Sequence, residues 1–365
     1  MRLDRALRRT IAAQAAAWVW LATPALMHAQ LVRGELIDSV AGSPVAAAIV
    51  SLVDASGEEH VRLLTDAMGQ FRVRAPSAGE YRLRVRIVGF DAWESEPLTL
   101  AVGQTVVRRI PLMLVRVKLP AFTVEAERTC VVRPEEGAAA AALWEEVKKA
   151  LAATELTVAS RRFRFRSVST ERELNRQGMV VRDTAYPALG YSTWPFAALD
   201  PDLLSKLGFV QATVGGPTFY GPDAQVLVSD AFLDDHCFRI TTSSDRAGTI
   251  GLAFEPVAGR SVPEVGGVLW LDSATVTLRT LEWEYRNLSR WAREGKPGGE
   301  VHFAQLTTGA WFIQRWMLRA PIAQVYLARA DTAFYGVKWK QEEVIAVLTA
   351  DGKPIVGFER VNEVP

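Results

Sequence analysis

The segment Thr65-Asp66-Ala67-Met68-Gly69-Gln70-Phe71-Arg72-Val73 restricts the fold of its surroundings more than any other part of the chain. Asp66 and Gly69 bracket a tight turn, because an aspartate bonds its own backbone and a glycine accepts a positive φ. His60 to Thr65 suits a strand, and Phe71-Arg72-Val73-Arg74 after the turn alternates apolar with basic residues. The pair reads as a hairpin with one buried and one wetted face. Tyr81-Arg82-Leu83-Arg84-Val85-Arg86-Ile87 alternates more strictly, setting Tyr81, Leu83, Val85 and Ile87 against three arginines. An antiparallel sheet packed on one side and solvated on the other has this pattern.

Turn residues punctuate the whole neighbourhood: Gly34, Asp38, Gly42, Pro44-Val45, Ala48, Leu52, Gly57, Thr65-Asp66, Gly69, Phe71, Pro76, Gly79-Glu80-Tyr81 and Gly89-Phe90. Short strands broken by Gly, Pro and Asp spell an antiparallel sandwich. At these spacings the region 31–117 resembles the carboxypeptidase regulatory-like domain, a transthyretin-like β-sandwich also classed with carbohydrate-binding-like folds. The resemblance implies a sandwich and no chemistry of its own, since such modules accompany peptidases, outer-membrane receptors and proteins with no known activity alike. The arginines at alternate strand positions are read as a solvated, aggregation-resistant face.

Upstream, Arg2, Arg5, Arg8 and Arg9 precede an apolar, alanine-rich run from Ile11 to Leu26, with small residues at Ala25 and Ala29. The run is shorter than a bilayer-spanning helix of roughly 20 residues and holds Pro24, so residues 1–29 are read as a cleaved signal peptide. Its removal takes four of 42 basic and one of 41 acidic residues, leaving 38 against 40. Such balance argues against nucleic acid or a strongly anionic surface as the partner. The protein is expected in the periplasm, on the outer membrane or outside the cell, with membrane association peripheral at most.

An exported chain with two cysteines, Cys130 and Cys237, is expected to hold one disulfide. So long a closed loop stabilises by about 4 kcal/mol in the chain-entropy treatment. A reactive thiol beside His236 is the competing reading.

Residues 118–137 read as a linker and 138–365 as a second domain. Ala138 to Leu151 is rich in helix formers, with Leu143, Val147 and Leu151 on one stripe. Strand patterns follow at 161–169, 179–186, 249–255, 267–272, 275–286, 299–307, 311–319 and 339–349. Short polar turns between them favour an antiparallel meander. The hairpin from Gly267 to Glu282 resembles LolA-type periplasmic lipoprotein carriers, which implies a half-barrel wrapped on one helix around an apolar groove. The fold class expected is mainly β: a transthyretin-like sandwich, then an α+β antiparallel curved sheet with one packed helix.

Eight tryptophans fall in this second domain, and aromatics in strands are ordinarily core. The stretch from Tyr186 through Tyr191 and Trp194 to Phe196 differs, because its Pro and Gly spacing argues against a regular element while four aromatics remain. Together with Tyr220 these residues are the candidate ligand contacts, a lip over a groove. An ordinary loop pinned by its own aromatics is the alternative.

Catalytic patterns are missing from the sequence. His60, His236 and His302 open no zinc-peptidase motif, and no nucleophile elbow, phosphate loop or calcium loop occurs. Asp234, Asp235 and His236 are adjacent, which on a strand sends them to opposite faces. Glu282 and Glu284 share a strand face and are read as solvated. No catalytic residue, metal ligand or cofactor is assigned. The function expected is non-catalytic binding of a glycan or envelope protein through the sandwich; the alternatives are a periplasmic carrier of a lipid or other apolar ligand and a hydrolase with scattered residues.

Overall fold

A computed structural model describes residues 30–118, 134–192, 199–213, 216–326 and 331–355. The leader 1–29, Cys130, Trp194 and Phe196 lie outside the described residues.

The first eight strands are β1 (Leu31–Asp38), β2 (Ile49–Asp54), β3 (Glu59–Leu64), β4 (Gln70–Arg74), β5 (Gly79–Arg86), β6 (Trp93–Glu94), β7 (Leu98–Leu100) and β8 (Thr105–Leu112). They form two sheets, β4-β1-β8 and β3-β2-β5-β6, with β7 also pairing β5. Alternation selects the core: Val32, Leu36, Phe71 and Val73 from one sheet meet Leu52, Tyr81, Leu83 and Val85 from the other. The expected hairpin between β3 and β4 is instead a crossover between sheets, since β3 pairs β2 while β4 pairs β1. Its turn is built as expected. Asp66 Oδ1 accepts the N–H groups of Met68 and Gln70, and Gly69 has φ +70° with its α-carbon so near the Leu36 carbonyl that a Cβ would stand 2.5 Å from it.

Helix α1 (Pro134–Ser160) is nearly twice the expected length and begins inside the expected linker 118–137. Pro134 suits a first helical turn, where its missing N–H would have no partner. The large sheet comprises β9 (Phe163–Asn175), β10 (Val180–Gly190), β13 (His236–Thr241), β14 (Thr249–Pro256), β15 (Glu264–Asp272), β16 (Leu278–Arg286), β17 (Gly298–Gln305), β18 (Trp311–Tyr326) and β19 (Asp331–Thr349), with β20 (Pro354–Ile355) on β19. The strands run as a meander from β13 to β19, and the hairpin β9-β10 then closes onto β19. Every pairing is antiparallel. Between β10 and β13 lie α2 (Pro201–Leu207), the hairpin of β11 (Val210–Thr213) and β12 (Gly216–Phe219), α3 (Ala224–Leu227) and α4 (Asp230–Asp235), while α5 (Arg290–Glu294) joins β16 to β17.

Leu143, Val147, Ala150 and Leu151 of α1 pack on Leu281, Val301, Phe303 and Ile313 of the sheet, and Ile49 and Leu64 of the sandwich join the same core. Helix α1 therefore serves both halves. The space left between Leu151, Thr154 and the sheet is about 20 Å³, on the scale of one water. Among the described residues the helix itself fills this side of the sheet, where the expected apolar groove would lie.

Candidate functional site

Open space lies elsewhere, between the outer face of the β4-β1-β8 sheet and the last turn of α1, where a cleft of about 840 Å³ forms. Burial of Val32, Leu36 and Val73 turns their strand neighbours outward, so Arg33 and Glu35 of β1 and Arg72 of β4 face the cleft. Strand β8 adds Arg108 and Arg109, β3 adds Arg62, and Arg162 follows α1. Leu63, Leu64 and Phe71 supply apolar surface, and Leu156, Ala159 and Ser160 form the helix side.

Six arginines thus stand against two carboxylates, Glu35 and Asp66. Arg33 and Arg72 are direct cross-strand partners, a like-charge pairing that costs stability unless something compensates it. Arg109 comes only within 4.0 Å of Glu35, and Arg62 within 3.7 Å of Glu59. Arg33, Arg72, Arg108 and Arg162 make no ion pair among the described residues. The arginines of β5 are different. Arg82 and Arg84 meet Glu94, and Arg86 bonds Glu59 through contacts of 2.9 and 3.0 Å. The solvated-face reading holds for β5, whereas the β1-β4-β8 face carries positive charge that the described residues leave largely unpaired.

The aromatic candidates are dispersed. Tyr186 stands half exposed on β10, the outermost strand of the large sheet. Strand order continues to Gly190, so the Pro187 segment is regular where sequence spacing argued otherwise. An outermost strand tolerates proline because one row of its backbone groups has no strand partner. Tyr191 lies just beyond, under the Arg161 guanidinium at 5.8 Å. Tyr220 packs against the main core, and its carbonyl accepts the Tyr285 hydroxyl at 2.8 Å. No ring contact joins Tyr186, Tyr191 and Tyr220 among the described residues.

His236 is structural. Its Nδ1 and Nε2 each lie 2.9 Å from a backbone carbonyl, of Phe232 and Val265 respectively, so neither nitrogen is open to a metal. Burial pulls its pKa down, opposed by those two carbonyls. Asp235 closes α4 rather than lying on a strand with His236, and it pairs with Arg260 at 2.6 Å. The carboxylates Glu282 and Glu284 are ion-paired with Arg246 and Arg286, which leaves neither poised as a free acid or base. No described cysteine is a free thiol.

Residues 31–113 match the family model of the carboxypeptidase regulatory-like domain. The module recognised from its turns is therefore present, with a boundary four residues short of the expected one. No curated protein sequence matches the chain. Among solved structures, 5-hydroxyisourate hydrolase of Klebsiella pneumoniae is 20% identical, with 24% of this chain and 99% of that one covered and a TM-score of 0.19. The minor pilin GBS52 of Streptococcus agalactiae is 17% identical over 27% of this chain and 48% of its own, with a TM-score of 0.20. The major pilin subunit of Bacillus cereus is 12% identical, covering 92% and 93%, with a TM-score of 0.21. Likeness at this level says nothing about activity. The LolA-type resemblance has no counterpart in these matches.

Proposed function

We propose that the protein is a non-catalytic binding protein of the bacterial envelope whose regulatory-like sandwich, with the end of α1, takes an acidic glycan. The cleft between them carries this reading: six guanidinium groups against two carboxylates, with Arg33 and Arg72 paired across strands and without an ion-pair partner among the described residues. Guanidinium forks bind carboxylate and phosphate groups in a bidentate manner, and Leu63 and Phe71 offer apolar surface to sugar rings. Overall charge balance does not oppose it, because a local field depends on where charges sit.

Export is part of the proposal, supported by the basic-then-apolar leader and by two cysteines suited to one Cys130–Cys237 bridge. No helix among the described residues is long and apolar enough to cross a membrane. Beneath α1 the carrier reading finds only about 20 Å³ of space, and the hydrolase reading lacks an unpaired carboxylate pair at Glu282 and Glu284.

The test is a titration of the mature protein with oligogalacturonate, a carboxylated glycan, against neutral dextran. Saturable binding that weakens with salt is expected for the acidic chain only. Arg33→Ser with Arg72→Ser should weaken it by at least about tenfold, as loss of charge-assisted bonds to a bound anion implies. Equal affinity for dextran, or an unchanged double variant, would overturn the assignment.

A further inference from the structure

The turn from β2 to β3 carries a second group of side chains, remote in character from the arginine cleft and independent of it. Its sequence is Asp54-Ala55-Ser56-Gly57-Glu58, followed by Glu59 and His60. Gly57 takes φ +91°, and its N–H bonds the Asp54 carbonyl at 3.1 Å, so the chain reverses within five residues. One oxygen of Asp54 is consumed in holding this turn: Oδ1 accepts from Ser56 N, Ser56 Oγ and Glu58 N at 2.6–3.0 Å. The other is thereby aimed. Asp54 Oδ2 lies 2.8 Å from His60 Nε2, and the imidazole is steadied edge-on against the Tyr81 ring at 6.1 Å.

Glu58 completes the group. A carboxylate oxygen of Asp54, a carboxylate oxygen of Glu58 and a ring nitrogen of His60 all lie within 4.8 Å of one another. Two carboxylates are held together here, yet the cations nearby are committed elsewhere: Arg62 and Arg86 both go to Glu59. Neither Glu58 nor Asp54 has an arginine or lysine partner among the described residues. Two like charges held together without a compensating cation repel each other unless one is bound.

We propose that Asp54, Glu58 and His60 form a divalent-cation site that takes Zn²⁺. The donor set of one imidazole nitrogen and two carboxylate oxygens suits zinc, with bonds of about 2.0–2.2 Å, and water fills the remaining positions. Asp54 and His60 are positioned by the turn and by Tyr81. Glu58, exposed, needs only a rotamer change to close the set. The cation takes the Nε2 lone pair of His60 in place of its N–H bond to Asp54 Oδ2: a neutral ring carries its proton on Nδ1 instead, and an imidazolium gives one proton to buffer. The sequence hides the site because its pattern, Asp-x-x-x-Glu-x-His, has its ligands on a turn and the strand after it, where alternation alone sets no shared direction.

Calorimetric titration of the EDTA-treated, untagged mature protein with zinc chloride tests this. One saturable equivalent per chain is expected. His60→Ala and Asp54→Asn should each weaken it at least about tenfold, since even outer-shell changes at metal sites cost that much, while His302→Ala leaves it unchanged. Because Asp54→Asn also alters the turn, the imidazole resonances of the unmodified protein are followed as zinc is added. A shift of His60 alone supports the site. Absence of saturable binding, undiminished binding in His60→Ala, or a response at His302 instead of His60 would overturn it.

Discussion

Glu146 Oε1 and Lys149 Nζ lie 2.6 Å apart with 2% and 8% of their side chains exposed, and together they clamp the sandwich onto α1. The second carboxylate oxygen of Glu146 accepts Gly89 N–H at 2.6 Å, while Lys149 also donates to the Phe90 carbonyl at 2.7 Å. Each charge thus satisfies its partner and one backbone group of the β5–β6 connection. Removing one member strands the other, so Lys149→Met is expected to destabilise by about 3–5 kcal/mol. Glu146→Leu with Lys149→Met should recover much of that loss. Urea unfolding monitored by tryptophan fluorescence measures both, with the slope checked for constancy.

Arg33 opposite Arg72 is expected to lower the stability of the unliganded protein. Replacing Arg72 by Ser relieves the like-charge pair, so thermal stability should stay level or rise, by about 0.2–1 kcal/mol. Added salt should narrow the difference through screening. A loss of stability in low salt would mean that Arg72 has a structural role in the sandwich.

Acid should loosen the large sheet. Bonding to Lys338 holds Glu171 below its ordinary value, burial opposing, with Lys340 adding to the effect. Bonding to His302 does the same for Glu300, again against burial, with Arg315 contributing. A folded-state value below the unfolded one means stability that is complete above the ordinary glutamate range, about 4.3, and lost as pH falls through the folded value. Melting temperature should therefore fall as pH drops below about 4.3. Lys338→Met should flatten that fall, because Glu171 then titrates closer to normal.

Mass analysis of the mature protein without reductant is expected to find both Cys130 and Cys237 blocked to alkylation. Free thiols in protein taken from the envelope would remove the bridge and, with it, one support for export.

How far the sequence discloses this molecule varies along it. In β4 and β5 each residue obeys a period of two with turn residues at both ends, so local pattern and fold agree. Eight strands of the large sheet were visible for the same reason. Strand β13 was not, because His236 to Thr241 begins directly after α4 without a turn residue. Helix α1 was underestimated at both ends: its last turns bury Thr154 and Thr157, whose hydroxyls bond the carbonyls of Ala150 and Ala153 inside the helix. Strand β10 runs through Pro187, which reads as a breaker until one knows the strand is outermost. The cleft is hardest to foresee. Arginines 82 and 33 look alike in sequence, and only packing reveals that one has Glu94 beside it and the other faces Arg72.

Strands β1 and β8 run parallel in register from Leu31 opposite Thr105 to Asp38 opposite Leu112. Tension entering the module at Leu31 and leaving at Leu112 would drag the two strands lengthwise past one another. Evenly spaced parallel bonds then share the strain at once instead of parting singly from one end. Such an arrangement gives the sandwich mechanical resistance along the chain, against a pull applied at the two ends of the module.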